Sequence, residues 1–598
     1  MGVYRSDQAQ LTFGFEAYPG AYAELGRNAD VSGGVGTCVL KGNTSAHAWN
    51  IQVDNLAGTN YTYATADWPN WVGESISIGN STDNHTEIRI VEHVAPSGNL
   101  VGGSSDTFTF YLNAPLAFAH IDDESIEAGD VVNTTASNIF TNVLPGVYET
   151  VDVPDPDMAI EARYFLGTAS KRNFYRAYKG QQAYTGSLPG FVLLDGKALR
   201  FPFGKIVTSS VDTNSASYST AVKLTSDTIK GQVWINVKTD SGTQVVAAND
   251  LIVFDARNYN ATIGSATVAN TMKSEVRKVL AQATVNTGGS VRLRLDYPLQ
   301  YPHSQDMEIK KYGATTNWKH EILETVDLDT ITWHVNMKES SETNSLDFAR
   351  RYYGGKVGSA TIAADEGGML TMSWDAINFL GMVHNQQFHT GFTNSRSNHL
   401  PFYTMMQDVD TSHVQFPTSE PYYFSQGAVS LFGTEIATIR SFALSVSNNE
   451  EPRYYIQRRY GRNRGPVEIR EQQREYSLAV TLALPDATQG EGSGASTAAN
   501  LFKELILEGD YGSGMQGFNV TLRFDRGVND YILITVPFDP DTANNQTSNT
   551  GGNQNGAFIR TAPHSISGEN PLQVEADILF RNLKIEIADP SATGYYYP

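Results

Sequence analysis

A mainly β fold is what this sequence predicts, on three observations. Segments of strand length alternate in polarity or run apolar, they are separated by Gly, Asn, Asp and Pro, and one block of such segments occurs twice. The clearest strands are VWINVKTD (233–240), VRLRLDY (291–297), TITWHVNM (330–337), FALSVS (442–447), YSLAVTLAL (476–484), FNVTLRF (518–524), DYILITVPF (530–538) and LKIEIAD (583–589). One segment breaks the pattern: Ser496 caps a predicted helix with Ala498, Leu501, Phe502, Leu505 and Ile506 on one face, stopped at Gly509. That helix is expected to flank a sheet.

The repeat orders the first half of the chain. Glu87-Ile88-Arg89-Ile90-Val91 matches Glu275-Val276-Arg277-Lys278-Val279. Downstream, the run from Leu112 through Pro115, Leu116 and Phe118 to His120 matches the run from Leu295 through Pro298, Leu299 and Tyr301 to His303. Each copy follows a strand-like run, Glu74 to Ile78 or Asp250 to Phe254, and reads as a small antiparallel β module. Residues 31–144 and 206–314 are then two modules inserted into loops of one discontinuous domain made of 1–30, 145–205 and 315–598. Insertions enter surface connections, because interrupting a core strand breaks its ladder. Two polar connectors, 486–496 and 541–556, carry no chemistry.

Bulk numbers narrow the function. A chain of 598 residues has room for about three to five compact units. With 43 Lys+Arg against 64 Asp+Glu its formal charge is −21, so it repels polyanions unless its cations are segregated. Cys38 is the sole cysteine, which excludes an internal disulfide and a thiolate zinc site. The amino terminus has no signal-peptide pattern, and no apolar run reaches the ~20 residues that cross a bilayer. A soluble protein without membrane partners is expected.

The polar residues offer few catalytic or metal-binding patterns. His384 and His389 are spaced five apart, which suits neither one face of a helix nor an alternating strand, and His120 and His303 occupy equivalent repeat positions, which points to packing or a turn. The clusters Asp122-Asp123-Glu124 and Asp155-Pro156-Asp157 are expected in turns, where Asp caps backbone, although calcium or acid–base chemistry also uses such groups. There is no nucleophile elbow, phosphate loop or dinucleotide fingerprint, and Gly492-Ser493-Gly494 lacks the Lys-Ser/Thr of a phosphate loop. The chain reads as a non-enzyme without cofactor or metal.

The strongest signal is the arm within residues 433–485. Arg453, Arg458, Arg459, Arg462, Arg464, Arg470 and Arg474 interleave with Tyr454, Tyr455 and Tyr460, and with Glu450, Glu451, Glu468, Glu471 and Glu475. Arg with Tyr suits nucleic acid, a protein interface or a solvated hairpin; the mixed-in acids favour the protein interface, with self-association as its use.

These residues also carry a family resemblance. Ser441 to Val446, then Asn448-Asn449-Glu450, an arm ending Glu468-Ile469-Arg470-Glu471, then Arg474 to Leu478, Leu482 to Pro485 and the run Leu501 to Leu505 resemble the carboxy-terminal half of tailed-phage tail tube proteins. Tyr353-Gly354-Gly355-Lys356-Val357-Gly358-Ser359, Ile362, Glu366-Gly367-Gly368 and Leu370 to Ser373 resemble the preceding strand pair, and Thr12-Phe13-Gly14 the family's opening. The resemblance covers the chain from about residue 315 onward plus scattered earlier segments; the modules and the long arm exceed a minimal tube protein. It implies a β-sandwich with a flanking helix, closed into rings, commonly hexameric, that stack into a tube through which viral DNA passes without sequence-specific binding. Implied partners are further copies of the chain, tape-measure, tail-terminator and baseplate or tail-tip proteins, and a sheath in contractile tails. Implied location is the virion tail, after assembly in the host cytoplasm. Edge pairing and the chain's acidic balance agree with this reading. The alternative is a carbohydrate-binding or adhesive β protein using Trp68, Trp71 and Trp234; a polysaccharide-cleaving tail enzyme is a third reading, for which no carboxylate pair stands out.

Overall fold

A computed structural model describes residues 4–16, 37–54, 75–79, 87–96, 107–128, 142–143, 146–163, 176–210, 221–228, 232, 234–239, 246–248, 250–254, 260–263, 266–269, 275–284, 290–295, 299, 301–311, 318–325, 327–339, 348–384, 414–415, 419–431, 434–435, 439–455, 465–483, 520–527, 529–536, 557–565, 573–581 and 583–589. The protein is mainly β, as the alternation predicts. The helix expected at 496–509 lies outside these residues. The short helix they do contain, Arg200–Phe203, is a different segment.

Two sheets share the principal core. The larger runs in the order Val414–Gln415, Asn142–Val143, Tyr4–Glu16, Thr330–Glu339, Phe348–Asp365, Ile439–Ser447, Glu475–Ala483, Gln573–Phe580 and Phe558–Thr561. Thr371–Asn378 also pairs with Phe348–Asp365 and passes the sheet on to the hairpin Arg176–Val192/Asp152–Arg163. The smaller sheet runs Lys205–Ser210, Trp318–Leu323, Lys584–Asp589, Asp530–Val536, Val520–Gly527, Gly427–Leu431 and Thr434–Glu435.

Period-two alternation sends one set of side chains inward from each strand. Phe442, Leu444 and Val446 from one sheet meet Leu522, Phe524, Ile532 and Ile534 from the other, with the Phe442 and Phe524 rings 5.4 Å apart. At one end Phe13, Phe191 and Phe201 pack edge-on around the fully buried Trp374 at 5.5–5.8 Å. Truncating an aromatic at such a site costs about 3–5 kcal/mol. Arg200 enters the same region buried, held by Asp329, its Nε donating to Oδ2 at 3.1 Å.

The strand Phe348–Asp365 changes partners partway. Its first part pairs with Thr330–Glu339 and Gly381–His384, its second with Thr371–Asn378 and Ile439–Ser447. The change falls at Gly354 and Gly355. Gly354 has φ +64°, and a Cβ there would lie 2.5 Å from Leu380 Cδ1; one on Gly355 would lie 2.4 Å from Phe379 Cε1. Only glycine meets both demands without strain.

Two closed six-stranded barrels and two two-stranded ribbons, Asn260–Ile263 with Ala266–Ala269 and Glu451–Arg453 with Glu468–Arg470, complete the described sheets. Barrel 1 joins Thr37–Leu40, Asn50–Asp54, Phe108–Leu112, Glu87–Pro96, Ser75–Ile78 and Ser125–Ala128; barrel 2 joins Val222–Leu224, Trp234–Thr239, Ser290–Leu295, Glu275–Thr284, Leu251–Phe254 and Glu308–Lys311. They agree pair by pair. Ile51 faces Phe110 as Ile235 faces Leu293, and Ile76 faces Arg89 as Ile252 faces Arg277. A register shift follows Val91↔Leu112 in one and Val279↔Leu295 in the other, and Asp123 and Asp306 both have φ +64°. Closure removes the free edges that an open module of this size would carry.

Both barrels sit between strands that pair with each other. Barrel 2 lies between Lys205–Ser210 and Trp318–Leu323, which pair from Lys205↔Leu323 to Ser210↔Trp318; barrel 1 lies between Tyr4–Glu16 and Asn142–Val143, which meet at Phe13↔Val143. The strand Lys205–Ser210 therefore runs in the smaller body sheet, inside the span that sequence reading begins as a module at 206. Barrel 2 is bolted to the body. Tyr301 Oη donates to Ile206 O at 3.0 Å, and Trp234 packs on the principal core beneath the guanidinium groups of Arg292 and Arg294, 5.3 and 5.7 Å from its ring. In barrel 1 the positions of Trp234 and Tyr301 hold Asn50, which is exposed, and Phe118, which has no hydroxyl.

Replacing Gly354 with Ala is expected to destabilise the body by about 2–4 kcal/mol, from a left-handed φ and a clash with Leu380. Urea unfolding followed by tryptophan fluorescence checks it, since Trp333 and Trp374 both lie in that core.

Candidate functional site

The arm leaves the body between Ile439–Ser447 and Glu475–Ala483, which pair up to Ser447↔Glu475. Its root is built from polar groups that the strand ends bring together. Asn448 is fully buried; its Nδ2 donates to Val357 O at 2.9 Å and Pro202 O at 3.1 Å, while its Oδ1 accepts from Arg474 Nε at 2.7 Å. Lys356 Nζ donates to Glu471 Oε1 at 2.7 Å and Ile469 O at 3.1 Å, and Leu328 N donates to the same Glu471 oxygen at 2.8 Å. Beyond the root, Glu451–Arg453 pairs with Glu468–Arg470 as a short ribbon, and Tyr454 Oη donates to Gln182 O at 3.2 Å.

The predicted interface residues divide accordingly. Arg474 turns inward: it bonds Asn448, lies 3.4 Å from Tyr476 Oη and 3.5 Å from Glu324, and its side chain is 10% exposed. Arg453 and Arg470 face solvent, each paired at 2.7 Å with a glutamate of its own strand, Glu451 or Glu468. Tyr455 is half exposed. Arg458, Arg459, Tyr460, Arg462 and Arg464 lie outside the described residues. Sequence reasoning named the arm's cations and passed over Asn448, Lys356 and Glu471, which position it; their only signal is polar residues at the ends of apolar strands.

Glu450 is the strained member of the root. Its Oε2 accepts from Asn378 Nδ2 at 3.4 Å, and its Oε1 is sealed from solvent with no hydrogen-bond partner among the described residues. Burial pushes the carboxyl up to about 8, against the pull of Asn378 and Lys356.

A second feature is the outward face of the larger sheet. Phe348–Asp365 presents Ser359, Thr361, Ala363 and Asp365; Ile439–Ser447 presents Ser441, Ala443, Ser445 and Ser447; Glu475–Ala483 presents Glu475, Ser477, Ala479 and Thr481. Thr361, Ser445, Ser477 and Leu579 are cross-strand neighbours in one row, as are Ala363, Ala443, Ala479 and Asp577 in the next. Thr371–Asn378 extends it with Thr371, Ser373 and Asp375. Small neutral side chains fill the middle and carboxylates stand at the margins, where Leu579 projects, 43% exposed, and Arg560 of the edge strand pairs with Asp577.

The hairpin Asp152–Arg163/Arg176–Val192 is the third. Asp157, Ala159, Ile160, Glu161, Ala162, Ala177 and Tyr178 are exposed, so among the described residues its end buries no core on either face; Ile160 is 68% and Tyr178 50% accessible. Asp155, Pro156 and Asp157, expected in a turn, lie within this strand, facing Thr185, Tyr184 and Ala183. Among the described residues the strand pairs only with Arg176–Val192, an edge position of the kind that tolerates Pro154 and Pro156. Asp122 and Glu124 do serve a turn: Gly42 N donates to Asp122 Oδ1 at 2.5 Å and Ile121 N to Glu124 Oε1 at 2.9 Å. His384 ends the strand Gly381–His384, and His389 lies outside the described residues.

A body that offers a broad sheet face and projecting strands is the build of a structural protein. The chain belongs to the phage tail tube protein family, whose model matches residues 3–577. It is a structural protein of the phage tail, and its place is in the virion. No curated protein matches the chain.

An acid raised in the folded state keeps a proton that the unfolded chain has released, so Glu450 lowers stability progressively as pH climbs from about 4.5 through about 8. Glu450→Gln is expected to be neutral near pH 4 and to stabilise the subunit by about 1–3 kcal/mol at pH 9, which parallel denaturant titrations at the two pH values measure.

Proposed function

We propose that the chain is a tail tube subunit whose copies close into rings, commonly hexameric, that stack into a conduit for viral DNA. The observation that carries this reading is the small-residue face of the larger sheet. A bore must let a polyanion slide, so it needs a surface without projecting side chains and without cations that exchange counterions for phosphate contacts. The central strands Phe348–Asp365, Ile439–Ser447 and Glu475–Ala483 offer such a surface between Ser441 and Ser447 and their cross-strand neighbours; Asp365, Glu475, Glu575 and Asp577 stand at its margins, where Arg440 pairs with Glu366 and Arg560 with Asp577. We assign it to the lumen.

Joining copies then falls to the projecting elements. The hairpin end cannot bury Ile160 and Tyr178 within its own subunit, and a two-stranded ribbon is marginal alone; a neighbouring copy covers it. The Arg/Tyr arm, rooted rigidly at Asn448, reaches another copy through Arg453, Tyr455, Arg470 and the residues from Arg458 to Arg464. A heterologous contact whose rotation closes makes a ring. The body, with Asn142–Val143 and Lys205–Ser210 among its strands, carries the two barrels as outward insertions, in keeping with their position between paired strands. Tape-measure, tail-terminator and baseplate or tail-tip proteins are the further partners, with assembly in the host cytoplasm. The adhesive reading draws little support from Trp234, whose ring is occupied by the body core and two guanidinium groups.

Electron microscopy of the purified protein is expected to show tubes of regular pitch, and joint replacement of Arg458, Arg459, Arg462 and Arg464 by Ser to leave folded subunits that do not polymerise. A persistently monomeric wild type, or normal tubes from the variant, overturns the corresponding assignment. For the lumen, Ser445→Arg with Ser477→Arg is expected to leave tube assembly intact while slowing DNA ejection at least about tenfold at low salt, with relief as salt rises. Unchanged ejection kinetics would place this face elsewhere.

A further inference from the structure

The two barrels share a buried charged cluster and differ in it by one residue. In barrel 1, His120 is 1% exposed and lies between two carboxylates: Nε2 is 2.9 Å from Glu87 Oε1 and Nδ1 is 2.7 Å from Glu124 Oε2. Arg89 pairs with Glu87 Oε2 at 2.5 Å and also donates to Pro115 O, at 3.0 Å from Nε and 2.8 Å from Nη2. Glu87 further accepts from Ala117 N at 2.8 Å and Phe118 N at 3.2 Å. The segment 113–124 is thus tied to the barrel wall through Glu87, Arg89 and Glu124. In barrel 2 the same scaffold recurs: His303 Nε2 is 2.6 Å from Glu275 Oε1, Tyr301 N donates to that oxygen at 3.2 Å, and Arg277 pairs with Glu275 at 2.5 Å. There the position of Glu124 is Met307, and the His303 ring stacks on Phe254 at 4.7 Å and 14°.

Both ring nitrogens of His120 face carboxylate oxygens, which only accept. A neutral imidazole has one N–H and therefore sets a lone pair against one of them; an imidazolium donates to both. His303 faces a single carboxylate, which a neutral imidazole satisfies. We propose that barrel 1 is clamped by an imidazolium at His120, and that this barrel, unlike its copy, loosens at residues 113–124 when the ring loses its second proton. The facing charged groups are Glu87 and Arg89 on the strand Glu87–Pro96 and Glu124 before Ser125–Ala128. Burial alone would lower His120, but hydrogen bonds to Glu87 and Glu124 outweigh it and raise the group above 6.5. The clamp's stability is therefore full below about 6.5 and is lost as pH rises through the higher folded value. This device does not depend on the tube assignment.

Hydrogen exchange of the full chain, read by mass spectrometry from about pH 6 to about pH 9 and divided by the intrinsic rate, tests it. Protection of peptides spanning 113–128 is expected to fall by up to about tenfold per pH unit, the limit for one linked proton, while peptides spanning 296–311 stay level. Glu124→Gln, which leaves His120 one carboxylate as in barrel 2, is expected to flatten the response. Level protection in both barrels, a parallel fall in both, or an unchanged slope in Glu124→Gln overturns the proposal. Should that variant fail to fold, the comparison of the two barrels in the wild type decides by itself.

Discussion

The backbone bend at Gly354 and Gly355 is the constraint on which the rest of the body depends. It lets one strand of 18 residues, Phe348–Asp365, serve two sets of neighbours, so that the amino-terminal strand Tyr4–Glu16 and the carboxy-terminal strands Glu475–Ala483 and Gln573–Phe580 belong to one hydrogen-bonded sheet. A straight strand would carry its ladder past Leu380 and Phe379 instead of around them. With the bend, those side chains fill the space a Cβ would need, and Trp333 packs edge-on against Phe379 at 5.4 Å. Chain segments hundreds of residues apart meet because this one strand turns.

The two barrels show how one scaffold takes two roles. Their cores and registers agree, so the differences that matter sit outside the apolar lining. Barrel 2 carries Trp234 and Tyr301 on the side facing the body and is fixed there; barrel 1 has Asn50 and Phe118 at those positions and spends its extra carboxylate, Glu124, on holding His120. Buried charge here follows the usual rule that such groups persist only when their partners are complete. The arm root obeys it in Lys356 and Glu471 and departs from it in Glu450, whose sealed oxygen leaves a proton as the cheapest remedy.

The larger sheet divides labour by face. One face supplies the principal core, and the other is kept small, neutral in the middle and acidic at the margin. For a tail tube protein that pairing of faces is economical: the same period-two alternation that builds the core sets the character of the surface opposite. At the sheet's periphery lie the elements we propose for assembly, a hairpin end with exposed Ile160 and Tyr178 and an arm rooted in buried polar bonds.

Several parts were legible from residue order because their cause is local. Alternation in residues 442–447 and 476–482 appears as half-buried strands, and the blocks beginning at Glu87 and Glu275 sit at matching barrel registers. The paired histidines are packing groups in both copies, because each answers a carboxylate buried with it. Asp155-Pro156-Asp157 misled, since a free strand edge tolerates proline as well as a turn does. Which arginines of the arm face outward, that Gly354 bends a strand, and that each module closes on itself depend on contacts between residues far apart in the chain. Periodicity reports which side of a strand is apolar; only the tertiary structure decides what that side, and the side behind it, will meet.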